Sequence, residues 1–221
     1  MNPNRDLQLD AFAVDVRELL STTVASLYSH LITRPTGRAV RMAIEAQLQE
    51  MSGPAISQVD FSSVAILDYS CADEVVAKLL LAIRDDGPVR SDVFVYFRGL
   101  RSFHLEPVEA VLERHGLHAV VESAPLRAEL VGSVAPPVGS LWTAVEEAGR
   151  IPGGELDEWM AAGERSASDL EFLLASRSLF RHPFRGDIYA LSELSRLLAE
   201  PGKASEDHTD DPSTTERDET P

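Results

Sequence analysis

The rhythm of apolar positions changes several times along the chain, and each change predicts an element. AFAVDV (11–16) and VASLYSHLI (24–32) read as strands, the second alternating enough to be half exposed. RPTG (34–37) punctuates, and Thr36 can cap a helix in which Val40, Ile44, Leu48 and Met51 recur at helical spacing. AISQVDF (55–61) and SVAILDY (63–69) are β-rich. CADEVVAKLLLAIRDDG follows, where Val75, Val76, Leu79, Leu80 and Ile83 make a face too wide for a helix covered on one side only. DVFVYF (92–97) has the unbroken apolar run of a central parallel strand, and LEPVEAVLERHG (105–116) is a helix closed by Gly116. HAVVES and AELVGS add two strands. Alternation of strand and helix predicts an α/β domain over residues 1–135, a mixed sheet packed with helices.

VGSVAPPVGS (131–140) then interrupts the pattern, with Pro136 and Pro137 opposing helix, and predicts a domain boundary. Beyond it come helices over 141–151, 154–162 and 166–180, the last with Ser166 or Ser168 as cap. RHPFRGDIYALS places Gly186 between two short strand-like runs, and ELSRLLAE adds a final helix. Three helices and a hairpin are the order of a small winged helix-turn-helix-like α+β domain over 141–200. Trp142, Trp159, Phe172 and Phe180 are its expected core. Residues 201–221 contain no Val, Ile, Leu, Met or aromatic side chain, so an acidic tail that cannot recover its ordering entropy is expected, either solubilising or an interaction tail.

Charge narrows the function classes. The chain carries 20 Lys and Arg against 36 Asp and Glu, for a net charge of −16 over 221 residues. The average surface therefore repels nucleic acid, and any basic patch has to be local. The single Cys71 excludes an internal disulfide and a cysteine-rich zinc site, and fits a reducing compartment. No apolar stretch is long enough for a membrane span and the start lacks the form of a signal peptide, so a cytoplasmic protein without membrane contact is expected. The six histidines show no metal-binding spacing, and no phosphate-loop, dinucleotide or nucleophile-elbow motif occurs. No cofactor, no metal and no catalytic residue is expected.

The most specific segment is VDFSSVAILDYSCADEVVAKLL (59–80). Through Asp60, Phe61, Val64, Ile66, Asp68, Ser70 and the helix starting near Ala72, it resembles the STAS-domain signature. With the Cys-Ala-Asp-Glu start of its helix and ITRPTGRAVR (32–41) upstream, it is similar to the STAS-like family of unknown function. The resemblance covers roughly residues 30–123 and implies a STAS-like fold, related to anti-sigma factor antagonists, that works by binding. It implies as partner a histidine-kinase-like ATPase regulator or an anti-sigma factor. Family serine kinases modify the Ser or Thr right after the matching Asp. Here that position is Tyr69, the first serine is Ser70, and Cys71 stands where the family has Gly.

Residue chemistry independently makes this bend a candidate. The first N–H groups of a helix are unpaired and carry partial positive charge, and Asp68, Ser70 and Asp73 are placed to cap them. Asp68, Tyr69, Ser70, Cys71 and Asp73 are therefore the expected partner-binding residues, with Ser70 either a phospho-acceptor or an N-cap alone. Cys71 is either a low-pKa redox sensor or a buried inert thiol. Arg34, Arg38 and Arg41, at the start of the first helix, form either an anion or acidic-partner patch or a solvated face paired with carboxylates. Arg98 and Arg101 follow a central strand's C-terminal end, where ligands of α/β sheets gather. In the second domain, Arg181 and Arg185 around His182, Pro183 and Phe184 offer a nucleic-acid contact. The expected function is a non-enzymatic bacterial signalling adaptor that binds a protein, with a DNA-binding transcription regulator as the alternative.

Overall fold

The structure is a computed structural model that describes residues 10–15, 30–50, 54–84, 92–124 and 127–199. Its frame is a five-stranded sheet of β1 (Asp10–Asp15), β3 (Ala55–Asp60), β5 (Val93–Arg98), β6 (His118–Ala124) and β7 (Arg127–Gly132), in that spatial order. β1, β3, β5 and β6 are parallel, and β7 returns antiparallel along β6. A two-stranded sheet pairs β2 (His30–Leu31) with β4 (Ile66–Leu67) in parallel. The run expected as a strand over 24–32 is described only at His30 and beyond, and 201–221 lies outside the described residues. Of 63–69, only Ile66 and Leu67 form a strand.

Each parallel crossover steps one strand further in the same direction, so right-handed connections put their helices on one face. That face holds α1 (Arg34–Gln49), α2 (Tyr69–Ala72), a π-helical turn (Asp73–Ala77) running into α3 (Lys78–Arg84), and α4 (Ser102–His115). Its core joins Val40, Ile44 and Leu48 of α1 to Val75, Val76 and Leu79, to Val108 and Leu112 of α4, and to Val59, Val95 and Phe97 of the sheet. α1 begins earlier than its sequence reading. Thr33, not Thr36, is the cap and accepts from the Thr36 N–H, while Pro35 sits in the first turn, where a missing N–H costs nothing. Gly116 closes α4 in the left-handed conformation, as its position predicts.

The opposite face of the sheet, formed by Ile56, Tyr96, Val120 and Ala128, is covered by the C-terminal part of the chain. Here the Pro136–Pro137 pair does not oppose helix. Both residues occupy the first turn of α5 (Pro136–Ala148), which therefore starts inside the expected boundary. α5 leads to β8 (Arg150–Ile151), a 3-10 turn (Gly153–Glu155), α6 (Leu156–Ala162), α7 (Ala167–Ala175), β9 (Leu179–Arg181), β10 (Ile188–Ala190) and α8 (Leu191–Ala199). β10 lies between β8 and β9 in a small antiparallel sheet. α7 ends five residues short of its sequence reading, because Arg177 takes a left-handed turn and Leu179–Arg181 joins the hairpin. Trp142 and Phe180 are buried in this core and Trp159 packs at its margin, whereas Phe172 is exposed.

Candidate functional site

The bend between β4 and α2 is fixed by Asp68. Its carboxylate accepts from the Cys71 N–H at 2.8 Å and from the Ser70 hydroxyl at 2.9 Å, and its own N–H donates to the Leu31 carbonyl. This N-cap presents Tyr69 outward and turns Cys71 inward. Cys71 is buried, donates its thiol to the Thr33 carbonyl at 3.0 Å, and is pushed up to about 12 by burial and by Asp68. Of the two readings of Cys71, the buried thiol is the one its surroundings fit, since burial and a neighbouring carboxylate both disfavour the thiolate. Gly37 explains the closeness of α1 here, because a Cβ at that position would lie 2.9 Å from the Cys71 Cα.

Asp73, expected at the docking surface, is also inside. It is 6% exposed and Glu74 only 3% exposed, at the start of the π-helical turn. Arg34 donates to Asp73 at 2.6 Å and to Glu74 at 2.9 Å, Lys78 bonds Glu74, His115 contacts Asp73 at 2.7 Å, and Arg41 reaches Glu74 and Glu45. Burial alone would raise the pKa of Asp73. The bonds from Arg34 and His115 outweigh it and hold the carboxyl at about 2. The same balance, led by Lys78 and Arg34 against burial, lowers Glu74. Arg34 and Arg41 thus pair with carboxylates of the protein itself, the second of the two readings their positions offer. Arg38 stays exposed, with no ion pair among the described residues.

Large apolar side chains face solvent at this bend, among exposed polar ones. Tyr69 is 51% exposed and Phe103, at the start of α4, 55% exposed, and Ile66 of β4 and Ile32 beside Thr33 are exposed as well. The Tyr69 hydroxyl donates to Glu106, one helical turn after Phe103, at 2.7 Å, which fixes the ring against α4. Beneath Phe103, His104 is fully buried. Its Nδ1 accepts from the Arg101 N–H, its ring meets Phe103 edge-on at 4.4 Å, and burial lowers its pKa. Arg101 lies 5.8 Å over the Phe103 ring, and Arg98 pairs with Asp60 at 3.3 Å. The starts of three helical runs, at Arg34, Tyr69 and Ser102, therefore meet around an exposed aromatic surface.

Compared with known proteins, the chain matches no family model, no curated protein and no solved structure. The site is read on its own geometry. Among the described residues, no group of histidine, cysteine and carboxylate side chains could hold a metal, and no helix is long and apolar enough to cross a membrane. At the β9–β10 hairpin, Arg181 pairs with Glu171 at 3.2 Å and Arg185 lies 3.7 Å from Asp187, so each of these cations faces an acid. The hairpin tip instead exposes Phe184, held by Phe184 and Arg185 N–H bonds to His182 Nδ1.

Ile32, Phe103 and Glu106 were not singled out by sequence reasoning. Phe103 precedes the apolar stripe of α4 by too little to stand apart from it, and only its place on the first turn turns it outward. His115 comes to Asp73 from another helix, whereas Lys78 lies in the same helical run. A basic residue four positions after Glu74 is a visible helical pairing signal, while His115 carries none.

Proposed function

We propose that this protein is a non-enzymatic signalling adaptor of STAS-like fold that docks a protein partner on the face formed by Ile66, Tyr69 and Phe103, with a winged-helix-like module behind the sheet. The observation that carries the reading is the exposure of these large apolar side chains at one place, where the β4–α2 bend and the start of α4 meet. Single exposed hydrophobes need no explanation, but grouped aromatics held in fixed rotamers are what partner surfaces use as anchors. The STAS-like resemblance puts the family's own docking bend at Asp68–Ser70 and suggests a histidine-kinase-like ATPase regulator or an anti-sigma factor as partner. The C-terminal order of helix, strand, helix, helix and hairpin, with β10 between β8 and β9, supports the winged-helix-like reading.

Phosphorylation fits Ser70 as a regulatory step, since its hydroxyl is half-buried and bonded to Asp68. A phosphate there adds about −1.5 to −2 charges against that carboxylate and loosens the bend. The DNA-binding alternative is weaker, because Arg181 and Arg185 are both set against acids and α7 presents Glu171.

Co-purification tests the docking reading. A partner that accompanies the wild-type chain in a fixed ratio is lost from the Tyr69→Ser, Phe103→Ser double variant and weakened by Ser70→Glu, with unchanged circular dichroism. Retention of that partner by the folded double variant refutes the assignment of the face.

A further inference from the structure

A second feature lies at the far edge of the sheet. β7 is an edge strand, and an open groove of about 700 Å³ runs between it and α5, lined among others by Arg127, Glu129, Leu130, Gly139, Thr143 and Glu146. Register fixes which backbone groups face it. Ser133 donates to the Leu117 carbonyl, so odd-numbered residues of this strand bond toward β6 and even-numbered ones point away. Ala128 confirms the parity: its N–H turns outward and donates to Glu146 Oε1 at 3.0 Å. Glu146 thus stands where the carbonyl of a further strand would lie.

The remainder of the groove is built to admit a chain. Leu130 directs its N–H and carbonyl into it by the same parity, and the facing side of α5 carries Gly139 and Thr143, which leave room between helix and strand edge. A Cβ added at Gly139 would touch only Val134, at 3.6 Å, so this wall is open rather than tightly packed. Edges left bare invite pairing with another chain, and a strand edge opposite a helix is a recurring way of holding an extended peptide.

The charge in the groove selects what kind. Glu129, Glu146 and Glu147 line it against the single cation Arg127. Glu146 Oε2 is closed off from solvent without a well-formed hydrogen bond, near the Ser192 hydroxyl. An incoming ammonium or guanidinium group would balance the carboxylates that line the groove.

We propose that the β7–α5 groove binds an extended basic peptide segment of a partner, which adds to the sheet edge beside β7 through the outward N–H and carbonyl of Leu130 and the outward carbonyl of Ala128, up to the point where Glu146 caps the Ala128 N–H, and places a Lys or Arg side chain against Glu146 and Glu147. This site is separate from the Tyr69–Phe103 face and does not depend on it.

Panning a random peptide phage library against the full chain, followed by fluorescence anisotropy with the enriched peptides, tests it. The expected peptides are rich in Lys or Arg. Leu130→Pro, which removes one outward donor, lowers their affinity by about tenfold. Glu146→Gln lowers it by a smaller factor, and Tyr69→Ser leaves it unchanged. Thr143→Trp fills the groove from an exposed helix position without touching the β6–β7 hydrogen bonds, and it abolishes binding in a chain whose thermal transition is retained. Binding that survives Thr143→Trp, enrichment of acidic or uncharged peptides, or failure to enrich any peptide overturns the proposal. A concentration-dependent dimer in sedimentation that Leu130→Pro dissolves also overturns it, because the occupant of the edge is then a second copy.

Discussion

On one side of the helix that starts at Tyr69, charged groups are packed away from water, and on the other, aromatic rings stand in it. Asp73 and Glu74 belong to the inner side, Tyr69 and Phe103 to the outer. The inner cluster is tolerable because each buried carboxylate receives several charge-assisted hydrogen bonds from Arg34, Lys78, Arg41 or His115, whose own stems reach outward. The outer surface has no such account within the molecule: nothing in the fold requires Phe103 or Ile66 to face solvent. The difference teaches that residue type alone assigns these positions the wrong way round. The acids support the fold, and the apolar residues are the ones left in solvent.

Mutations can break this contrast. The largest effect is expected from Glu74→Ala, which leaves Arg34, Arg41 and Lys78 without a shared acceptor. Discounted for the exposure of those cations, it costs about 3 kcal/mol in urea unfolding. Gly37→Ala comes next: its Cβ would press on the Cys71 backbone at 2.9 Å, and overpacking of this kind costs about 2 kcal/mol. At the outer side, Tyr69→Ser and Phe103→Ser each cost only about 1 kcal/mol, since the half-exposed rings give up little beyond the Glu106 hydrogen bond and the edge contact with His104.

Acid titration separates two limbs of stability. Burial depresses His104 and His118 below 6.5, so the unfolded chain takes up protons first and stability begins to fall as pH drops below 6.5. Asp73, held at about 2 against 3.8, contributes stability that is present above pH 3.8 and lost as pH falls toward 2. Urea midpoints measured across this range for wild type and Asp73→Asn show a shallower lower limb in the variant, where the depressed Glu74 still contributes, and an unchanged upper one. The smallest expected change is chemical. Native Cys71 reacts with a thiol reagent at neutral pH only at the rate of unfolding, and prompt labelling of the folded protein contradicts its enclosure.

Much of the sheet was legible from local pattern. DVFVYF read as a central parallel strand and pairs with β3 and β6 on either side, and Gly116 marked a helix end because only a left-handed turn follows there. Prolines are ambiguous punctuation: Pro35 and the Pro136–Pro137 pair read as breaks, yet each sits in a first helical turn where its lack of an N–H is harmless. The π-helical turn at Asp73–Ala77 left no sequence signal, and the packing of α5 and α8 on the back of the sheet depends on long-range burial that periodicity does not encode. The bend at Asp68 was located by its residues, while which of its side chains turn outward was set by α1 and α4 closing over Cys71 and Asp73.

Site-specific photo-crosslinking in cells is the most direct test of the outer surface. A photoreactive residue placed at Ile66, Tyr69 or Phe103 is expected to trap the same protein from all these positions, and none from Glu109, an exposed site two turns along α4. Adducts of equal yield from Glu109, or no adduct from the Ile66–Tyr69–Phe103 face, would contradict its assignment as a docking surface.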